Sequence, residues 1–158
     1  MSSYQFEHAF RQYIAAFDGT NDLSPAEFKT LFDNVHHKDF KYRLMDEKVI
    51  GDDGTIHLKA RKLITREEKF VSISKRYASG TKVSLIYFRK IGMECIDAKF
   101  CIANGKEETI HRVVLAISDG QAILAQEILP GSPPVRPCIG CTPATPIYSR
   151  RSKYANAA

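Results

Sequence analysis

The most conspicuous chemical spacing in this chain is Cys138-Ile139-Gly140-Cys141. Two thiolates so placed can supply half of a tetrahedral zinc site, or a redox pair. A structural zinc site needs two more ligands, and a redox pair of the thioredoxin kind needs a strand before it and a helix after it. Neither context surrounds the pair, so no metal site is expected. Cys95 and Cys101 lie on one β-rich run. At ~3.3 Å per residue they stand about 20 Å apart, too far to bridge. His36 and His37 are adjacent, so their side chains point apart and cannot share one metal; a loop doublet is the expectation. Asp46 differs from these. It ends a strand face formed by Phe40, Tyr42 and Leu44, and a carboxylate closing an apolar face could act as a base with a raised pKa. Glu94 opens a strand whose face carries Ile96, Ala98, Phe100 and Ile102, and is expected at an exposed rim; Asp97 and Lys99 alternate on the other face, as on a solvated or dimer-facing sheet surface. Glycine-rich phosphate loops of the forms G-x-G-x-x-G and G-x-x-x-x-G-K are absent, as is a G-x-S-x-G nucleophile elbow.

The elements that must position these groups follow from patterning. The 158 residues suit one domain with a tail. Six of the seven prolines lie at or after Pro130, and residues 131–158 hold four basic residues and no acid. That divides the chain into a domain over 1–130 and a proline-rich basic tail over 131–158. The body keeps 19 basic and 18 acidic residues. So near-neutral a body is not the clustered basic face that nucleic acid requires. The tail segment Tyr148-Ser149-Arg150-Arg151-Ser152-Lys153-Tyr154 could contact an acidic partner. No apolar run approaches the roughly 20 residues of a membrane helix, and residues 1–8 lack the basic-then-apolar block of a secretory signal, so the expected location is cytoplasmic.

Three capping boxes announce helices: Ser2 with Gln5, Ser24-Pro25 with Glu27, and Thr65 with Glu68. The first helix is expected over Ser3 to Phe17, with Phe6, Phe10, Tyr13, Ile14 and Phe17 on one stripe. The second is expected over Pro25 to Asn34 and the third over Arg66 to Ala78. Phe40–Glu47 and Thr55–Leu63 suggest a loose hairpin. Val83–Ile91, Glu94–Ala103, Glu107–Ser118 and Gln121–Leu129 are β-rich runs separated by turns that include Asn104-Gly105 and Asp119-Gly120, which makes a four-strand antiparallel meander. The class is therefore α+β: a curved mixed or antiparallel sheet with helices packed on its concave face, as in a cystatin-like cone.

That order resembles the nuclear-transport-factor-two-like superfamily, which includes SnoaL-like polyketide cyclases and ketosteroid isomerases. The resemblance rests on Tyr13-Ile14-Ala15-Ala16-Phe17-Asp18-Gly19, on Leu31-Phe32 with His37-Lys38-Asp39-Phe40, and on Leu115-Ala116-Ile117-Ser118-Asp119-Gly120-Gln121-Ala122-Ile123. It covers roughly residues 4–129. It implies a conical pocket for a small apolar molecule, and homodimers through the outer sheet face. In the isomerase branch a helix tyrosine, an acid ending the first strand and a late-strand acid meet in the pocket. Tyr13 matches the first position and Asp46 the second. The third falls near Val113, which cannot donate a hydrogen bond, and His111 on the same face is the substitute. Tyr13, Asp46 and His111 are thus the implied catalytic set, lined by Phe10, Phe17, Tyr42, Tyr87 and Val113. The chemistry would be that of a cofactor-independent isomerase, dehydratase or cyclase. The alternative is a non-catalytic dimeric interaction module whose pocket is filled by its own side chains.

Overall fold

The computed structural model describes residues 3–44, 47–59, 62–128 and 148–150. In chain order it contains α1 (Ser3–Ala15), α2 (Pro25–Val35), β1 (His36–Leu44), β2 (Glu47–Ile50), β3 (Ile56–Lys59), β4 (Lys62–Thr65), α3 (Arg66–Ala78), β5 (Lys82–Gly92), β6 (Cys95–Asn104), β7 (Glu107–Ser118), β8 (Gln121–Ile128) and β9 (Tyr148–Arg150). Six strands form one mixed sheet in the order β4-β1-β8-β7-β6-β5, and β2-β3-β9 form a second. The four-strand meander is present as β5 to β8, every neighbour antiparallel. β1 runs parallel to β8 and makes the sheet mixed. The expected loose hairpin is present: β1 pairs with β4 and β2 with β3, both antiparallel, and Lys41↔Thr65, Leu44↔Lys62, Glu47↔Lys59 and Ile50↔Ile56 keep one register around the turn. Among the described residues, no helix is long and apolar enough to cross a membrane.

Local chemistry sets these boundaries. Ser24 caps α2: its hydroxyl accepts from the Glu27 amide at 3.1 Å, while the Glu27 carboxylate accepts from the Ser24 amide at 2.9 Å, and Pro25 opens the helix. Thr65 and Glu68 repeat this box at α3. Ser2, the expected cap of α1, lies outside the described residues. Removing one such cap has a modest cost: Ser24→Ala is expected to lower the unfolding free energy by about 1 kcal/mol, measured by urea denaturation. α2 gives way to β1 without a loop, since His36 already has extended backbone and its amide donates to the Phe32 carbonyl. The His36-His37 doublet therefore opens a strand rather than lying in a loop. Asp119 and Gly120 both have positive φ, as the two-residue turn between antiparallel strands requires.

The helices pack on one face of the sheet. α1 ends at Ala15, two residues short of the expected Phe17. Phe6, Phe10, Tyr13 and Ile14 from α1, Phe17 just beyond it, Phe28 and Phe32 from α2, and Ile73 and Tyr77 from α3 join Ile96, Ala98, Val113 and Leu115 in one buried cluster. Aromatic pairs dominate it: Phe28 stacks on Tyr77 with centroids 4.6 Å apart, and Tyr13 meets Phe17 edge-on at 5.7 Å. Val71, on the far side of α3, is exposed.

The opposite face of the sheet departs from expectation. Asp97 and Cys95 are each only 1% exposed. The Asp97 carboxylate accepts two bonds from Arg112, Nε to Oδ1 and Nη2 to Oδ2, both at 2.9 Å. Alternation along β6 correctly separates Asp97 from Ile96, but it carries no information on whether that face is wet. Lys99 on this face is half-buried.

Candidate functional site

Between the helices and the concave face lies a cavity. Its walls include Phe10 and Tyr13 from α1, Phe17 just after it, His36, Phe40 and Tyr42 from β1, Lys69, Ile73 and Arg76 from α3, and Val113, Leu115 and Ala125 from the sheet. The space open to the centre of a water molecule is about 80 Å³. One water needs about 10–15 Å³ by such a measure, so the cavity has room for several waters or one compact organic molecule. The aromatic side chains occupy much of the remaining cone.

The cavity is apolar with a few polar groups. The Tyr42 hydroxyl donates to Glu127 Oε1. The partners are brought together by the parallel pairing of β1 with β8, in which Tyr42 faces Ala125 and Leu44 faces Glu127. On the far side of Glu127, His111 Nδ1 lies 3.7 Å from the same oxygen. His111 Nε2 is 2.8 Å from the Thr109 hydroxyl, and its ring stacks on Phe100 with centroids 5.9 Å apart. A polar chain thus leads from the cavity wall through Tyr42 and Glu127 to His111. Burial, then the Glu127 charge and hydrogen bond, hold the Tyr42 phenol well above its ordinary value.

Two further groups are tuned by burial. His36 is sandwiched: its ring stacks on Phe32 at 3.9 Å and meets Tyr13 and Phe40 edge-on. Its Nδ1 lies 2.8 Å from the Phe32 carbonyl, which can only accept, so Nδ1 carries the proton. Burial pushes the ring down to about 3, and it is neutral throughout the physiological range. The Tyr13 hydroxyl is raised by burial, against an opposing pull from Arg76, and keeps its proton. On α3, the Lys69 ammonium sits 3.9 Å over the Tyr42 ring. Burial first, then the Arg76 charge, push it down to about 8, while Glu127 pulls the other way.

The residues singled out from the sequence fall in different places. Tyr13, Phe10, Phe17, Tyr42 and Val113 line the cavity. His111 reaches it only through Glu127. Asp46 lies outside the described residues, as do Cys138 and Cys141. Tyr87 does not line the cavity; its hydroxyl lies 3.4 Å from each Asp97 oxygen on the other face. The cause is a bulge: Leu85 pairs with Phe100 and Tyr87 with Lys99, so Ile86 is an extra residue and the alternation flips between Leu85 and Tyr87. Glu94 is exposed in the β5–β6 turn with φ of 54°. Sequence reasoning missed Glu127, His36, Lys69 and Arg76. One signal was available: Lys69, Ile73 and Arg76 recur at i, i+4 and i+7, one face of a helix. Among the described residues, no three His, Cys, Asp or Glu side chains are grouped to hold a metal.

Comparison with solved structures identifies the architecture. The chain is similar to a putative ketosteroid isomerase from Kribbella flavida, with a TM-score of 0.53, 13% identity, and 87% of this chain and 86% of that chain covered. It is similar to a putative SnoaL-like polyketide cyclase from Jannaschia, with a TM-score of 0.51, 6% identity, and coverages of 79% and 85%. An uncharacterised cystatin-fold protein from Novosphingobium aromaticivorans gives a TM-score of 0.53 at 12% identity, covering 82% and 99%. The fold is thus the one shared by nuclear-transport-factor-two-like proteins, SnoaL-like cyclases and ketosteroid isomerases. No protein-family model matches the sequence, and no curated protein matches it.

Proposed function

We propose that this chain binds one small, mostly apolar molecule in the conical cavity and handles a proton there, as a cofactor-independent isomerase, dehydratase or cyclase would. The observation that supports this most is the Tyr42–Glu127 pair, a phenol on an apolar wall with its proton held by a carboxylate behind it. A proton leaving a bound ligand would pass to the Tyr42 oxygen as the Tyr42 proton passes to Glu127. His111 would stabilise the outer end of the chain, and Tyr13, held protonated, would donate a hydrogen bond to the ligand. Asp46, the acid implied by resemblance, belongs to the proposal only by its place in the sequence, two residues after β1. The end of the outer sheet face around exposed Ile110 is the proposed homodimer surface, and residues 131–158 are the proposed basic tail for an acidic partner.

A second reading, the non-catalytic module, is favoured by how much of the cone its aromatic side chains occupy. One experiment separates the two. The native protein is examined by mass spectrometry for a released small molecule, and by thermal shift against compact ring compounds. Release of a molecule, or a saturable rise in Tm, is the expected result. Once a turned-over compound is in hand, Glu127→Gln should cut kcat by about 10²–10⁴ while Tm stays within a few degrees. A protein that releases nothing and shifts with no compound supports the module instead.

A further inference from the structure

The cavity carries more positive charge than its described acids balance. Lys69 and Arg76 enter its wall from one face of α3, separated by Ile73. Among the described residues, no carboxylate lies within ion-pair distance of either. Glu127, the nearby acid, is already engaged by the Tyr42 hydroxyl and flanked by His111. Among the described residues, two cations therefore stand beside one carboxylate at this wall. Phe40, Ile73, Leu115 and Ala125 line the cavity beside these two half-buried cations and solvate a charge poorly, so an anion placed between them would gain from both. The Arg76 guanidinium is a planar fork suited to a planar carboxylate, and Lys69 is held in place over the Tyr42 ring.

We propose that the ligand of this cavity is a monocarboxylate with a compact apolar body, its carboxylate held between Lys69 and Arg76. This rests on reading the cavity as a ligand site. The carboxylate follows from the two cations that line one wall, and the compact body from the space available. Arg76 supplies the planar contact and Lys69 the point charge. The apolar body lies against Phe10, Tyr13 and Phe17, with Tyr42 and Glu127 beside the carbon atoms nearest the carboxylate.

The test uses matched pairs of equal shape and different charge. Phenylacetate and phenylacetamide, and benzoate and benzamide, are titrated into the full-length protein by calorimetry and by heteronuclear NMR. Each acid is expected to bind about tenfold or more tightly than its amide. Arg76→Gln should remove most of that preference, and Arg76→Lys should retain part of it. Should acid and amide bind equally to the unmodified protein, the charge assignment falls while the cavity stands as an apolar ligand site. Should neither member of any pair bind, the cavity reading falls and this inference with it. If inorganic phosphate displaces phenylacetate at equal concentration, the carboxylate class is overturned in favour of a general anion site. The comparison within each pair needs no variant, so a misfolded Arg76 variant does not remove the test.

Discussion

Replacing Asp97 by alanine lowers the unfolding free energy by about 3–5 kcal/mol, the largest loss expected from any single polar substitution in the described structure. Asp97 is 1% exposed and Arg112 is 6% exposed. Their two bonds at 2.9 Å are the fork-on-fork geometry in which both charges are satisfied at once. Taking the pair out of water costs each ion several kcal/mol, which the mutual attraction offsets. Deleting the acid alone removes the attraction and keeps the cost, because Arg112 stays charged; Asp97 holds its guanidinium above the ordinary value, against the opposing effect of burial. Tyr87, whose hydroxyl also approaches Asp97, is disturbed as well. Equilibrium denaturation in urea measures the loss. The double variant Asp97→Leu with Arg112→Met should be markedly more stable than Asp97→Ala, since it removes both desolvation costs together. If Asp97→Ala unfolds with the midpoint of the parent, the pair is not buried in solution and the outer face is wet after all.

Acidification reveals the second large effect. His36 is held neutral, its folded value about 3 against an ordinary value of 6.5. The unfolded chain therefore binds a proton that the folded chain refuses. The stability this provides is present in full above pH 6.5 and is lost as pH falls from there toward 3. The slope is about 1.4 kcal/mol per pH unit, so roughly 2 kcal/mol disappears between pH 6.5 and pH 5. This window precedes the carboxylates: Asp18, Glu27 and Glu68, held low mainly by hydrogen bonds, and Asp33, held low by Lys29 and Arg66 against the effect of burial, lose their contributions only at lower pH. Urea titrations at pH 7, 6 and 5 read the slope directly. His36→Phe keeps an aromatic ring between Phe32 and Tyr13 and should flatten the profile in that window, at the cost of the bond to the Phe32 carbonyl. An unchanged slope in His36→Phe assigns the proton to another group.

The two effects differ in how visible they are in the sequence. Nothing in the neighbourhood of Asp97 distinguishes a solvated β-strand acid from a buried one; alternation names the face and leaves its surroundings open. The same holds for His36, which reads as half of a loop doublet until α2 is found to run straight into β1. The capping boxes at Ser24 and Thr65 are different, because a hydroxyl and a carboxylate three residues apart satisfy amides of that same segment. Turn pairs such as Asp119-Gly120 are likewise local, since positive φ is a property of the residue.

What this chain declares by itself is therefore whatever is settled within a few residues: three amphipathic helices, the four-strand meander, the helical stripe from Phe6 to Ile14, and from their order the cone. Tertiary structure alone decided the chemistry inside the cone. Tyr42 and Glu127 are 85 residues apart and meet through the parallel β1–β8 pairing. Lys69 and Arg76 are ordinary helix cations until α3 is laid against β1. Tyr87 is moved to the other face by one extra residue at Ile86. The physical reason is common to all three. Hydrogen-bonded local structure depends on neighbours along the chain, whereas burial, and with it the cost and reactivity of a charge, depends on which distant surfaces come to rest against each other.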